Sequence, residues 1–342
     1  MRSSIRTVIV VAVAAALVVV FLRNVDLRGV VTAILQARMR WLVISLVGAV
    51  LSIVIRALRW RYLLEPLGHA SFANAFRATA VGFAASSILP ARAGEVIRPY
   101  FLARHENMTA TGAFATIILE RVLDVLTVLV LLASSVFVFN RNVGAASPNA
   151  SIAFAAMKWA GATALGDSLV ALVVMFVLAG DPGRIGRWMA RLEASVPSKL
   201  AGLIGGIAEK FSRGLGAVRR PGRLFVALLW SFPLWLTIAA GLWAVSIAFH
   251  IDVPFTGSFL LVAMLVIGVA VPTPGAIGGF HEAYRLGATM FFGAPDDAAV
   301  GAAIVAHLFS IGPVLLLGLF FAAQVGLNVS GMRRLAEQAD AP

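Results

Sequence analysis

The stretch that decides the fold is ATGAFATIILERVLDVLTVLVLLASSVFVF, residues 110–139. As a helix it is long enough to cross the roughly 30 Å hydrocarbon core of a bilayer. Its only charged residues are Glu120, Arg121 and Asp124, near the middle of the run. Each charge at the bilayer centre costs about 2.5–3.5 kcal/mol on insertion scales, so these three side chains need partners. The stretch therefore predicts a membrane-spanning helix that carries an intramembrane charge network.

The rest of the chain has the same apolar character. Of its 342 residues, 60% are hydrophobic and 13% are charged, and the mean hydropathy is +0.93. A soluble domain carries about 25% charged residues. Further apolar runs of spanning length, or nearly so, lie at 5–22, 41–58, 152–179, 224–249 and 298–327. We expect an all-α polytopic integral membrane protein with about six full spans, in which 5–22 is an uncleaved span rather than a signal peptide.

Two apolar segments do not fit a simple span. Residues 72–90 are interrupted by Arg77, and residues 255–293 are broken by the Pro- and Gly-rich stretch at 272–279. Lipid cannot satisfy free peptide groups, so irregular backbone at membrane depth must be buried in protein or line a wet cavity. Both segments are predicted to be re-entrant or broken helices. If 181–223 is cytoplasmic, they enter from opposite faces, which suggests an inverted repeat.

The charge distribution places the basic residues against lipid. The net charge is +12, and the basic residues lie at the ends of apolar runs. This arrangement favours contact with anionic lipid head groups over nucleic acid. We expect one transmembrane domain over 1–327, with a basic amphipathic cytoplasmic insert at 181–223, and a short polar tail at 328–342. The protein is expected to be multi-pass in the cytoplasmic membrane of a prokaryote.

Arg56 and Arg59 are three residues apart and share one face of a helix. Together they could clamp a phosphate, or they could anchor the end of a span at the interface. Trp60 is expected at the level of the head groups.

A second basic group follows the first irregular segment. Arg92, Glu95 and Arg98 step by three and share a face if they are helical, with Pro90 placed just before the helix start. A helix N-terminus flanked by arginines is a ready anion site. We therefore predict that these residues bind an anionic head group.

The charges of the 110–139 helix have local and distant partners. Arg121 can pair with Asp124 three residues on, while Arg92 or Arg98 could supply the positive charge for Glu120. Such a network either joins helices structurally or binds substrate directly, and the sequence leaves both open.

The break in the second irregular segment is a candidate site as well. Prolines break the helix and glycines let the backbone approach another chain or ligand closely. The alternative is a tight helix crossing at small residues. The predicted site residues of this segment are Pro274, Gly275, Gly278, Gly279, His281 and Glu282.

The sequence offers little for catalysis. No Gly-Lys-Ser/Thr follows the glycines, no Gly-x-Ser-x-Gly is present, and the histidines lack metal-binding spacing. The chain contains no cysteine, which excludes disulfides and thiolate chemistry. We expect no cofactor, no metal and no catalytic residue.

Taken together, the motifs resemble the membrane region of bacterial lysylphosphatidylglycerol synthetases, a broad group of flippase-like proteins. The resemblance covers roughly residues 40–325. It rests on Arg56-x-x-Arg59-Trp60, Leu89-Pro90-Ala-Arg92-Ala-Gly94-Glu95-x-x-Arg98, Glu120-Arg121-x-x-Asp124 and Pro274-Gly-Ala-Ile-Gly278.

The resemblance implies two functions. The first is a flippase that moves an anionic lipid or a polyprenyl-phosphate-linked amphiphile between leaflets. The second is a membrane-embedded enzyme or accessory subunit of a glycolipid or polyprenyl-phosphate sugar pathway. Only a short tail follows residue 327, so the aminoacyl-transferase domain of the full-length synthetases, and hence aminoacylation, is not expected here.

Overall fold

The structure, a computed structural model, describes residues 26–89, 92–139, 148–180, 206, 209–271 and 273–324. The described chain is helical. Its helices are α1 (Leu27–Leu35), α2 (Met39–Leu64), α3 (Phe72–Ile88), α4 (Gly94–His105), α5 (Ala110–Phe139), α6 (Pro148–Gly180), α7 (Pro221–Ala248), α8 (Gly257–Ala270), α9 (Gly279–Phe292) and α10 (Asp296–Gln324).

The long helices confirm the all-α polytopic membrane fold. α2, α6, α7 and α10 are each long and apolar enough to cross a membrane. α5 has the predicted bounds and a length of 30 residues, with its three charges in the interior. Large apolar side chains such as Leu165, Val173 and Phe176 are exposed along α6, as expected of a surface that faces lipid. The predicted span at 5–22 and the tail at 328–342 lie outside the described residues, as does much of the insert at 181–223.

The first irregular segment, predicted at 72–90, supplies only α3 of a helical hairpin, and the returning helix is α4, which lies beyond the predicted range. The start of α3 and the end of α4 form the open end of the hairpin, and Glu106 links them. Its Oε1 accepts hydrogen bonds from Ser71 N at 2.9 Å and Asn74 Nδ2 at 2.9 Å. The two helices cross where Gly94 meets Gly82, so closely that a Cβ on Gly94 would collide with the Gly82 carbonyl oxygen. The start of α3 and the end of α4 therefore lie together, as a re-entrant segment requires.

The second irregular segment is a hairpin of the same construction, formed by α8 and α9. A Cβ on Gly257, the first residue of α8, would lie 2.8 Å from the ring of Phe292, the last residue of α9. A Cβ on Gly279 would collide with the carbonyl oxygen of Gly268. Both hairpins thus return to the end at which they begin, and both cross at a pair of glycines.

The hairpins open at opposite ends of the helix bundle. α2 and α7 pack against each other and are antiparallel. At one end Arg38 N donates to Ala248 O at 3.0 Å, and at the other Arg223 Nη1 lies 2.5 Å from Glu65 Oε2. The α3–α4 hairpin follows the end of α2, and the α8–α9 hairpin follows the end of α7. The two segments therefore enter the helix bundle from opposite ends, while the membrane face at which each end lies stays a prediction.

The tips of the two hairpins contact each other. Arg92 Nη2 donates to the carbonyl oxygen of Val269 at 2.6 Å, and a Cβ on Gly275 would lie 3.5 Å from Ser87 O. The order long helix, hairpin, long helix occurs twice, as α2 to α5 and as α7 to α10. This is the inverted repeat that the sequence suggested.

Candidate functional site

A cluster of buried charges lies where the first hairpin packs against α2 and α5. We call it the arginine cluster, and its members are Arg56 and Arg59 of α2, Arg98 of α4, and Glu120, Arg121 and Asp124 of α5. Glu120 is ten residues into α5, about 15 Å along the helix axis. The cluster therefore lies well inside the bundle rather than at its end.

Asp124 is held mainly by Arg59 of α2. Arg59 Nη1 lies 2.6 Å from Asp124 Oδ1, and both side chains are almost completely buried. Arg121 approaches the other carboxylate oxygen at 3.3 Å, which confirms the predicted pair at i,i+3. Arg56 lies 3.5 Å from the same oxygen.

Glu120 is fully buried and lies within ion-pair distance of all four arginines. Arg98 Nη1 lies 3.1 Å from its Oε2 and Arg59 Nη2 lies 3.0 Å from its Oε1. Arg56 and Arg121 approach Oε1 at 3.4 and 3.3 Å. Of the two arginines considered as partners of Glu120, Arg98 is therefore the one that pairs with it. The Arg121 side chain is 37% exposed and is the most open member of the cluster.

The arginines also rest on aromatic rings of the first repeat. The guanidinium carbon of Arg98 lies 3.9 Å from the ring centroid of Trp60, and that of Arg56 lies 5.0 Å from the centroid of Phe83. Trp60 is fully buried and donates from Nε1 to Thr116 Oγ1 at 3.0 Å. Its predicted place among the head groups is wrong, because this indole packs under an arginine inside the bundle.

The second repeat contributes neutral groups to the same cluster. Trp235 of α7 donates from Nε1 to Asp124 Oδ1 at 2.9 Å, and Ser231 Oγ accepts from Arg59 Nη1 at 2.6 Å. The sequence interpretation missed both residues, since a serine and a tryptophan in an apolar run have the pattern of ordinary packing.

Positive charge exceeds negative charge in the cluster. It contains four guanidinium groups and two carboxylates, and Arg side chains remain protonated in proteins. Nε and Nη2 of Arg98 are buried and have no hydrogen-bond partner among the described residues. A buried charge without a full set of partners is costly, so these donors suit an anion that enters the cluster. The fork of a guanidinium matches two oxygens of a phosphate.

Arg92 and Glu95 do not join the cluster as predicted. The expectation that Arg92, Glu95 and Arg98 share one helical face is wrong for Arg92, because α4 begins only at Gly94 and Arg92 has a left-handed φ of 54°. Arg92 is exposed, and its Nη2 binds the other hairpin at Val269. Glu95 is half-buried on α4, and no ion pair joins it to a described residue.

The tip of the second hairpin is a turn built on glycines. The short 3-10 turn Pro274–Ala276 precedes α9, and φ is positive at Gly275 (59°) and Gly278 (84°), where a side chain would be strained. Gly279 makes the close crossing with Gly268, which agrees at that position with the alternative interpretation, a tight crossing at small residues. Pro272 lies outside the described residues.

The polar residues after this turn form a separate group. His281 Nδ1 accepts from Gly278 N at 3.3 Å, and the ring of His281 lies 4.4 Å from that of His307. His307 Nε2 lies 2.7 Å from Gly275 O. Glu282 pairs with Arg285 at 3.7 Å. The structure therefore places the predicted residues of the second hairpin next to its tip, and they make no ion pair with the described part of the arginine cluster.

Comparison with known proteins agrees with the motifs. Residues 7–318 match the family described as the lysylphosphatidylglycerol synthase TM region. The resemblance drawn from the motifs is confirmed.

Two curated relatives are similar to the chain. A UPF0104 membrane protein of Methanocaldococcus jannaschii is 25% identical over 122 residues, which cover 35% of this chain and 36% of that protein. The glycosyltransferase AglD of Haloferax volcanii is 24% identical over 313 residues, which cover 85% of this chain and 49% of AglD. The chain thus spans about half or less of the length of these relatives.

Proposed function

Because the chain belongs to the lysylphosphatidylglycerol synthase transmembrane family, and because its interior holds an arginine-rich cluster, we propose that it is a flippase. Its substrate is an anionic lipid or a polyprenyl-phosphate-linked amphiphile, which it moves between the leaflets of a prokaryotic cytoplasmic membrane. The head group binds in the arginine cluster while the apolar tails stay in lipid.

The observation that carries this proposal is the excess positive charge at membrane depth. Intramembrane ionisable residues are expensive and mark pathways for charged substrates. A purely structural network would be expected to balance its charges, whereas here two buried donors of Arg98 have no hydrogen-bond partner in the described part of the chain. The side chain of Arg121 is 37% exposed, so it is the member of the cluster that a head group would contact first.

The arrangement of the hairpins supports movement as well as binding. They open at opposite ends of the bundle, and their tips are joined by the bond between Arg92 and Val269. Broken helices at the interface of inverted repeats are where many transporters bind their substrates. α7 from the second repeat contacts the cluster through Ser231 and Trp235, so motion between the repeats would change the surroundings of Asp124.

The test is a leaflet-resolved transfer assay in proteoliposomes of neutral lipid. Fluorescent phosphatidic acid and phosphatidylglycerol are added, and the label in the outer leaflet is quenched by a membrane-impermeant reductant. We expect the protein to raise the quenched fraction above one half, and Arg98→Gln to abolish the effect. Arg77→Gln is the matched control, since Arg77 is an exposed arginine of the neighbouring α3 that lies outside the cluster. Equal transfer by Arg98→Gln and wild type would contradict the proposal.

A second candidate function follows from the similarity to AglD, which covers 85% of this chain. In this case the chain is a membrane-embedded enzyme or accessory subunit of a glycolipid or polyprenyl-phosphate sugar pathway. Mass spectrometry of the lipids recovered from the same vesicles separates the two. A flippase leaves the mass of the lipid unchanged, whereas an enzyme supplied with a sugar donor adds the mass of the sugar.

A further inference from the structure

The charge balance of the arginine cluster limits the kind of head group that it can take. Resting on the proposed function, we infer that the cluster is built for a head group with two negative charges on one phosphorus centre or on two linked ones. These are a phosphate monoester and a diphosphate. A phosphodiester such as that of phosphatidylglycerol carries one negative charge and leaves the cluster with a positive excess.

The count rests on contacts within the cluster. Each of the four arginines lies within 3.5 Å of Glu120 or Asp124, so all six groups act as one unit. Two carboxylates offset two of the four guanidinium charges, which leaves two positive charges uncompensated. Glu95 of α4 is half-buried and forms no ion pair with any of the four; its negative charge acts on Arg121 from beyond ion-pair distance and is not one of the six contacting groups. In a buried site of low dielectric, an uncompensated charge is costly. A bound dianion would compensate both remaining positive charges.

The donors of Arg98 have the geometry that such a group needs. Its Nη1 pairs with Glu120, while Nε and Nη2 have no hydrogen-bond partner within the ranges that the structure describes. These two N–H groups form one edge of the guanidinium and can bind two oxygens of a single phosphate in parallel. Trp60 covers one face of the same group, which fixes the direction of that edge. Arg59 and Arg121 each add a buried Nε that has no partner among the described residues.

The charge of a phosphate monoester depends on pH in a range that can be reached in solution. Its second pKa is about 6, so it carries close to two charges at pH 8 and close to one at pH 5. The charge of a diester does not change over this range. The inference therefore predicts that the protein prefers the monoester over the diester increasingly as the pH rises. The cause is the second ionisation of the monoester and not a titration of the protein.

The experiment measures binding of dodecyl phosphate and of its methyl ester to the full chain in nanodiscs of neutral lipid. The two ligands differ by one methyl group and, at pH 8, by one charge. At pH 8 we expect dodecyl phosphate to bind at least about tenfold more tightly, as one additional charge-assisted hydrogen bond implies. At pH 5 the two ligands should bind alike.

Substitutions of Arg98 test whether the preference for dodecyl phosphate over its methyl ester arises from the arginine cluster. Arg98→Gln lowers the excess to one charge and should remove the preference at pH 8. Arg98→Lys keeps the charge but loses the paired donors, so it should retain the preference while binding both ligands more weakly. Arg77→Gln, the control outside the cluster, should behave as wild type. If Arg98→Gln does not fold, the pH titration of the wild-type protein still decides between monoester and diester.

The outcomes separate this inference from the proposed function. Equal affinities for both ligands at pH 8, both reduced by Arg98→Gln, would overturn the dianion inference and leave head-group binding standing. Binding of either ligand that is indifferent to Arg98→Gln and Arg98→Lys would contradict the proposed function itself. Displacement of dodecyl phosphate by inorganic phosphate at equal concentration would show that the site takes soluble phosphate and not a lipid.

Discussion

The guanidinium of Arg98 lies 3.9 Å from the ring centroid of Trp60, and the same indole donates a hydrogen bond to Thr116 at 3.0 Å. α2 thereby supplies the surface that carries an arginine of α4, while α5 fixes that surface in place. Because Trp60 is completely buried, the stacking takes place without competition from water. The indole thus determines where the unpartnered edge of Arg98 points.

The stacking predicts different outcomes for two substitutions of Trp60. Trp60→Phe keeps an aromatic face but loses the bond to Thr116, and should weaken binding of dodecyl phosphate only slightly. Trp60→Leu removes the aromatic face, and the loss of about 2 kcal/mol for a desolvated cation–π contact corresponds to roughly thirtyfold weaker binding. Binding is measured in nanodiscs on samples matched for melting temperature. Equal affinity of the two variants would show that the indole only fills space.

A second prediction concerns the pair Arg59 and Asp124, which are 2.6 Å apart and buried. Asp124→Asn leaves a buried arginine with fewer partners and should lower the free energy of unfolding by about 3–5 kcal/mol. Arg59→Gln should be similarly costly. The double variant removes both charges and should lose clearly less than the sum of the two single losses. Additive losses in thermal stability would contradict the pairing.

The sequence predicted the long helices and both irregular segments because hydrophobic length and helix breakers are local features. It also marked Glu120, Arg121 and Asp124, since charges in an apolar run stand out. For Arg56 and Arg59 it left two interpretations open, a phosphate clamp and an interfacial anchor. Periodicity shows which residues share a helix face but not which helix packs on that face. Their partners in α5 are more than 60 residues away in sequence.

The predictions that were wrong or missing for the site have equally specific causes. Spacing by three placed Arg92 beside Arg98 on the assumption of a continuous helix, whereas the backbone at Arg92 is left-handed and directs the side chain to the other hairpin. Ser231 and Trp235 were missed because a contact between the two repeats leaves no mark in the local pattern. Predicting them would require the antiparallel packing of α2 against α7.

The glycine crossings give a third prediction. A methyl group at Gly279 would collide with the carbonyl oxygen of Gly268, and neither backbone can move without displacing its helix. Gly279→Ala should therefore lower the free energy of unfolding by about 1–3 kcal/mol or more. Gly166→Ala is the control, because no atom of the described residues lies within 4 Å of a Cβ at that position of α6. It should leave the melting temperature unchanged or slightly raised.

A fourth prediction is a pH dependence at the open end of the first hairpin. Burial alone would raise the pKa of Glu106, but hydrogen bonds from the backbone of Ser71 and the side chains of Asn74 and Ser71 lower it overall. A carboxylate with a lowered pKa stabilises the folded state above its ordinary pKa, near 4.5, and this contribution is lost as the pH falls through the folded-state value. Wild type should melt above Glu106→Gln at pH 7, and the gap should close in acid. Glu209→Gln, at a surface ion pair, should show no such gap.

The last prediction separates motion from binding, and it concerns the bond between Arg92 Nη2 and Val269 O that joins the hairpin tips. Arg92→Ala removes this bond without touching the arginine cluster, so the affinity for dodecyl phosphate should stay at the wild-type value. Without the bond the tips part more easily, and lipid transfer should become about threefold to tenfold faster, as the loss of one exposed hydrogen bond implies. Arg104→Ala, at another exposed arginine of the same hairpin, is the matched control and should change neither quantity. Weaker binding by Arg92→Ala would instead assign Arg92 to the head-group site, as its spacing from Arg98 first indicated, and unchanged binding with unchanged transfer would show that the tips do not part during the cycle.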